Sequence, residues 1–219
     1  MTEKEAMALR HSVRQYEEKS LDREAVRALT DAIDKINAEN GLHIQLVLDE
    51  PKAFDSGLAH YGSFSGVTNY FALVGKKEDE EKLGYYGEKL VLLAQTLGLN
   101  TCWVALTFKK IKNAFVVDAG EKLLMVISLG YGKTQGVPHK NKPFDKVARA
   151  VNPPQWFVDG VNAALNAPTA VNQQKFVFTL KGNNVVAASA GLGFYTVTDL
   201  GIAKYHFELG AGKENFSWE

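Results

Sequence analysis

The stretch Ala167-Pro168-Thr169-Ala170-Val171-Asn172-Gln173-Gln174 decides how the chain is read. A helical pattern runs into it and the β-type run Phe176-Val177-Phe178-Thr179-Leu180 leaves it. Pro168 bars helical geometry at Ala167 and stops the helix. Thr169, Asn172, Gln173 and Gln174 then crowd hydroxyl and amide groups into the turn. A turn that only reversed the chain would be better served by Gly, Asp or Ser. Side-chain amides donate and accept at once, which suits the edge of a heteroaromatic ring. Met alone, most such segments are polar helix-to-strand loops, so its partners elsewhere in the chain carry weight.

Outward from that turn the pattern is helix and strand throughout. Thr2 and Glu5 have capping-box spacing, which predicts a short helix to about Arg10. Val26, Leu29, Ile33 and Ile36 form the stripe of a second helix starting near Asp22 and closed by Gly41. Strands are predicted at His43 to Leu48, Thr68 to Val74 and Lys122 to Leu129, with a long loop from Glu50 to Gly66 that has room for a helical turn. The longest helix runs from about Asp79 to Leu97, stopped by Gly98. A turn at Leu99-Asn100-Thr101 leads into Cys102-Trp103-Val104-Ala105-Leu106, and a short helix is expected around Lys109 to Ala114. Asn152 is read as the cap of a helix offering Trp156, Phe157, Val161, Ala164 and Leu165. Strands at Lys175 to Leu180 and Val185 to Ser189 follow, and Asp199 is read as the cap of a last helix to Leu209. Helices flanking mixed or antiparallel sheets make the class α+β.

Composition narrows the function. Among 219 residues, Lys plus Arg and Asp plus Glu each total 25, so net charge points to neither nucleic acid nor an anionic membrane. The single cysteine, Cys102, rules out an intrachain disulfide, and the first residues are too charged for a secretory signal. A cytoplasmic, reducing setting is the expectation. Gly132-Lys133-Thr134 lacks the upstream glycine of a phosphate loop, and Gly191-Leu192-Gly193 lacks the third glycine of a dinucleotide fingerprint. The histidines show no metal-ligand spacing, so no metal is expected.

Two basic clusters remain. Arg10, Ser12 and Arg14 alternate, so an extended segment turns all three the same way, as a phosphate clamp or as a solvated surface. Lys140 and Lys142 precede Pro143, beside His139.

Together these segments resemble the FMN-dependent nitroreductase family. Arg10-His11-Ser12-Val13-Arg14-Gln15-Tyr16 is similar to its N-terminal Arg-Arg-Ser-x-Arg-x-Phe motif, and Ala167 to Gln174 to its Ala-Pro-Ser-Ala-x-Asn-x-Gln motif. Leu97-Gly98-Leu99-Asn100-Thr101-Cys102-Trp103 resembles its Gly-Leu-Gly-x-x-Trp segment, although Val104-Ala105-Leu106 stands where small glycines are usual. The resemblance implies one FMN per chain. Its phosphate and ribityl chain would lie at Arg10, His11, Ser12, Arg14, Lys140 and Lys142. Its ring would lie near Cys102, Trp103, Val104 and Ala105 and against Pro168, Thr169, Ala170, Asn172 and Gln174. No side chain is assigned as catalytic, because flavin N5 carries the chemistry. NADH or NADPH would be the donor, in ping-pong hydride transfer to a small acceptor such as a nitro compound or quinone. Tyr61 and Phe64, in an aromatic loop, are the candidate substrate contacts. The alternative is a flavin-binding or sensory protein without turnover.

The order of motifs departs from ordinary members, in which the Asn motif follows the Arg motif within a few dozen residues. Here it stands in the second half. The resemblance is thus to the single-chain, pseudo-dimeric branch: residues 1–150 as a nitroreductase-like first half and 151–219 as a second half completing the flavin site. The helix beginning at Asp199 would echo the long helix after Gly84. A monomer is expected, with a homodimer left open.

Overall fold

The computed structural model describes residues 1–219, Leu58 by its backbone alone. In chain order the elements are α1 (Glu3–Leu9), α2 (Arg23–Asn40), β1 (His43–Val47), α3 (Gly57–Tyr61), β2 (Asn69–Gly75), α4 (Glu80–Thr96), β3 (Asn100–Val104) and β4 (Lys122–Gly130). They continue with α5 (Phe144–Val147), β5 (Ala148–Arg149), α6 (Gln155–Ala164), β6 (Phe176–Lys181), β7 (Asn184–Ser189), α7 (Thr196–Ala211) and β8 (Ser217–Trp218). Two four-stranded sheets result, ordered β1-β2-β4-β3 and β5-β6-β7-β8. The first is antiparallel throughout. The second is mixed, its central pair antiparallel and both edges parallel. The class is α+β.

Local sequence explains the first sheet and its helices. Thr2 and Glu5 close a reciprocal capping box on α1, and Gly41 ends α2 at φ 65. Strand β2 is buried along its whole length, so alternate residues serve different cores. Phe71 and Leu73 join Leu29, Ile33, Ile36, Leu83 and Leu90 beneath α2 and α4. Tyr70, Ala72 and Val74 join Phe54 and Phe64 beneath the long loop on the other face. A third core packs α6 and α7 onto the second sheet through Phe157, Phe176, Phe178 and Phe207.

Helices α4 and α7 share the most extensive helix–helix contact in the molecule. That contact explains why α4 is buried around more of its circumference than its leucine stripe suggests. Gly84, Gly87 and Glu88 form a second buried face.

Several local expectations are corrected. No helix forms at Lys109 to Ala114: Lys109 N–H bonds to the Ala53 carbonyl at 2.8 Å, and Asn113 sits at φ 67. Asn100 and Thr101 begin β3 rather than a turn, because Asn100 pairs with Gly130 and its amide also takes the Gly132 N–H. Pro154, not Asn152, stands at the cap of α6. Helix α7 starts at Thr196, which places Asp199 inside its first turn instead of at the cap. The two-residue strands β5 and β8 carry too little pattern to be read from sequence. Strand β5 also brings Ala148 and Arg149, ahead of residue 151, into the second sheet.

Candidate functional site

A cavity of about 670 Å³ lies between two walls of the chain. One wall is built by Ser12, Arg14 and the Cys102–Thr107 run. The other is built by the Pro168–Gln173 turn and the start of α7.

The first wall begins with an added strand. Val13 N–H bonds to the Thr101 carbonyl at 3.0 Å, and Arg14 and Tyr16 exchange backbone bonds with Ser65 at 3.0 and 2.9 Å. The extended geometry sends Val13 into the core and leaves Ser12 and Arg14 on the opposite side at the cavity, while Tyr16 is also buried in that core. Tyr16 is locked by hydroxyl bonds to the Val13 carbonyl and Ser128, at 2.7 and 2.8 Å. Arg10 lies at the end of α1 and is directed elsewhere. Its buried guanidinium places Nε 3.7 Å from Glu88 Oε1, and Nη2 reaches the Asn166 carbonyl at 3.5 Å. His11 does not line the cavity, and burial together with the charge of Arg10 lowers its pKa.

Cys102, Trp103, Val104 and Ala105 all line the cavity. Burial pushes the Cys102 thiol pKa up, which keeps it a neutral, apolar floor residue. Trp103 is held from behind: its indole N–H donates to Glu88 Oε2 at 2.8 Å, and a Cβ on Gly87 would strike the indole at 2.6 Å. Glu88 Oε1 also faces His206 Nε2 at 2.8 Å.

The second wall departs from the sequence reading by one residue. Pro168, Thr169 and Ala170 line the cavity, but Gln173 does so in place of Asn172 and Gln174. The cause is backbone geometry. Val171, Asn172 and Gln174 all adopt left-handed φ values of 47, 54 and 42, which rotate the turn. Asn172 donates to the Lys140 carbonyl at 2.8 Å. Gln174 is buried and accepts Lys142 N–H at 2.7 Å, while Lys142 Nζ reaches the Gln174 carbonyl at 3.1 Å. Asn172, Gln174, Lys140 and Lys142 thus tie the connector to the turn, and none lines the cavity. Lys175 likewise spends its ammonium on the Leu192 carbonyl.

In the aromatic loop, Gly62 and buried Phe64 line the cavity, whereas Tyr61 is 88% exposed and does not. Phe64 is fixed by Phe54, ring centroids 5.2 Å apart.

Sequence reasoning missed the contribution of α7. Phe194, Tyr195, Thr198, Asp199 and Ile202 all line the cavity. Asp199 has the sequence signal of a helix cap, but its hydrogen-bond partners lie on another segment. Its carboxylate accepts the Ala170 N–H at 3.0 Å and the Gln173 amide at 2.7 Å, across the cavity wall rather than within its own helix. Burial raises its pKa to about 6, against the lowering effect of those two donors.

Among the described residues one group has metal-ligand proximity, His43 with Asp118 and Glu121, remote from the cavity lining. The 2.7 Å His43–Glu121 hydrogen bond accounts for it. No described helix is long and apolar enough to cross a membrane.

An antiparallel sheet, a mixed sheet and a cavity walled by β3 on one side and by the 168–173 turn and α7 on the other make up this α+β fold. Residues 3–211 match the family described as "Putative TM nitroreductase", and the chain belongs to that family. A "putative nitroreductase" from Thermotoga maritima is similar over 98% of this chain and 85% of its own, at 23% identity and TM-score 0.68. A "putative nitroreductase in complex with FMN" from Desulfovibrio desulfuricans matches 70% of this chain and 99% of its own, at 17% identity and TM-score 0.55. A "Putative NADH Oxidase" from Clostridium acetobutylicum matches 65% of this chain and 96% of its own, at 21% identity and TM-score 0.50. At these identities the likeness is one of fold. No curated protein sequence matches the chain.

Proposed function

We propose that the chain is an FMN-dependent NAD(P)H oxidoreductase that reduces a small oxidised acceptor such as a nitro compound or quinone. The observation that carries this reading is the composition of the cavity. Arg14 and Ser12 supply donors suited to a phosphate and a ribityl hydroxyl, next to the apolar floor of Cys102, Val104, Met125 and Ile202. The volume falls within the ~300–1,000 Å³ of cofactor clefts. Thr198, a cavity-lining residue, adds a buried hydroxyl with no partner among the described residues, an orphan of the kind a bound ligand satisfies.

Bound FMN would supply hydride transfer, accepting from a reduced nicotinamide and delivering to the acceptor in turn. The protein's part is to bind, orient and exclude water. Ser12 and Arg14 anchor the anionic end, Trp103 is held rigid by Glu88, and Phe64 narrows the mouth. The phosphate site is leaner than the motif implies, since the side chains of Arg10 and Lys142 are engaged within the protein and Lys140 does not line the cavity. Both walls belong to one chain, which supports action as a monomer, and the single buried Cys102 suits a reducing cytoplasm.

The test is a visible absorption spectrum after loading with FMN and desalting, followed by anaerobic addition of NADH or NADPH. Retained flavin bands that bleach with either nucleotide support the reading; a colourless protein overturns it. Replacing Arg14 with Ala is expected to weaken FMN binding by ~1–3 kcal/mol.

A further inference from the structure

We infer that Thr198 and Asp199 form a paired hydrogen-bonding station for a planar ligand edge in which an N–H stands beside a carbonyl. Cyclic imides and lactams have that chemistry. The inference rests on the cofactor reading above only in naming the flavin's imide edge as the occupant.

The two residues are adjacent in the first turn of α7, both line the cavity, and both are buried, at 1% and 3% exposure. The Thr198 hydroxyl has no hydrogen-bond partner among the described residues. An unpaired buried hydroxyl is costly. Asp199 is held by two neutral donors, Ala170 N–H and the Gln173 amide, and makes no ion pair among the described residues. An ionised carboxylate has about four acceptor positions, so capacity remains. The raised pKa of Asp199 shows that these donors do not offset its burial.

A free donor beside an under-compensated acceptor is the complement of a carbonyl beside an N–H. A quinone, with carbonyls alone, would satisfy Thr198 and leave Asp199 unserved. An anionic edge would be repelled by Asp199. The amides expected from sequence to read such an edge, Asn172 and Gln174, are consumed by the connector. Among the cavity-lining residues only Arg14 and Asp199 are of strongly acidic or basic type. Arg14 therefore suits the anionic part of a ligand and Asp199 its N–H.

The experiment is a fluorescence titration of the apoprotein with FMN and with 3-methyl-FMN, in which the imide N–H is replaced by N–CH₃. Wild type is expected to prefer FMN by ~10–100-fold, the range for a hydrogen bond to a charged group. D199A is expected to bind the two about equally. T198V, which leaves Asp199 in place, is expected to weaken FMN ~10-fold and to raise a carbonyl stretching frequency of the bound flavin. FMN binding with an unchanged preference in D199A and no effect of T198V overturns this assignment and leaves the cofactor reading intact. Binding of neither flavin by wild type overturns both. Should D199A fail to fold, the T198V affinity and carbonyl frequency decide.

Discussion

Gly84 of α4 and Gly201 of α7 make room for one another's helices reciprocally. A Cβ on Gly84 would drive into the Thr198 carbonyl, and a Cβ on Gly201 would drive into the Glu81 carbonyl. Each glycine follows by three positions the residue whose carbonyl meets the other. Backbones this close leave no volume for a methyl group, and carbonyls cannot move aside as a flexible side chain does. Gly84→Ala and Gly201→Ala are each expected to destabilise the chain by about 3 kcal/mol. Urea unfolding measures this, and a loss below about 1 kcal/mol in both would show that the crossing is loose.

Glu88 is the hub of a second buried relationship. Its carboxylate serves Trp103 and His206 by hydrogen bonds and lies 3.7 Å from Arg10 Nε. His206 is held from both sides, with Nδ1 3.2 Å from the Ala163 carbonyl and Nε2 2.8 Å from Glu88 Oε1. Removing the carboxylate strands a buried guanidinium. Glu88→Ala is expected to cost about 3–5 kcal/mol and to alter tryptophan fluorescence through release of Trp103. A stable variant with unchanged emission would refute this account of the network.

Val171 is a β-branched residue at φ 47 and is 97% exposed at the cavity rim. That conformation is strained for valine and relaxed for glycine. Val171→Gly is expected to raise stability by about 1 kcal/mol, less the flexibility it adds to the unfolded chain. A lower midpoint in thermal or urea unfolding would show that the side chain contributes contacts outweighing the strain.

Asp199 gives a pH signature. Its folded pKa, about 6, lies above the ordinary aspartate value, so between those two the folded chain binds more protons than the unfolded one. Its contribution to stability is present at low pH and is lost as pH rises to about 6. Asp199→Asn removes this dependence. Relative to wild type, the variant is expected to gain on the order of 2 kcal/mol between pH 4 and pH 7.5. Parallel urea titrations at the two pH values check it, and an unchanged difference would refute the burial argument.

What the sequence disclosed was local. The capping box of α1, the stripe and glycine stop of α2, and the long α4 depend on spacings within one element, and each formed near its predicted bounds. Ser12, Arg14, Cys102 to Ala105 and Pro168 to Ala170 meet at one cavity although they are distant in sequence, which only the family pattern could suggest. What stayed hidden was set by tertiary geometry. Three left-handed residues in one turn exchange Gln173 for Gln174, and no propensity predicts that φ for valine. Asp199 near a helix start has the appearance of a cap, and nothing local tells that its donors lie on another segment. The basic residues at 10, 140 and 142 have the composition of a clamp, but a buried carboxylate and a backbone carbonyl claim the side chains of Arg10 and Lys142, and Lys140 stands off the cavity lining.

The cavity joins residues 12–125 to residues 168–202 within a single polypeptide. Ser12 and Arg14 on one wall and Thr198 and Asp199 on the other are separate positions of that polypeptide. A change at Arg14 leaves the α7 wall as it was, and a change at Asp199 leaves the Arg14 wall as it was. The two sides of this pocket are therefore free to diverge separately, one toward the anchoring end of a ligand and the other toward the face it presents for recognition.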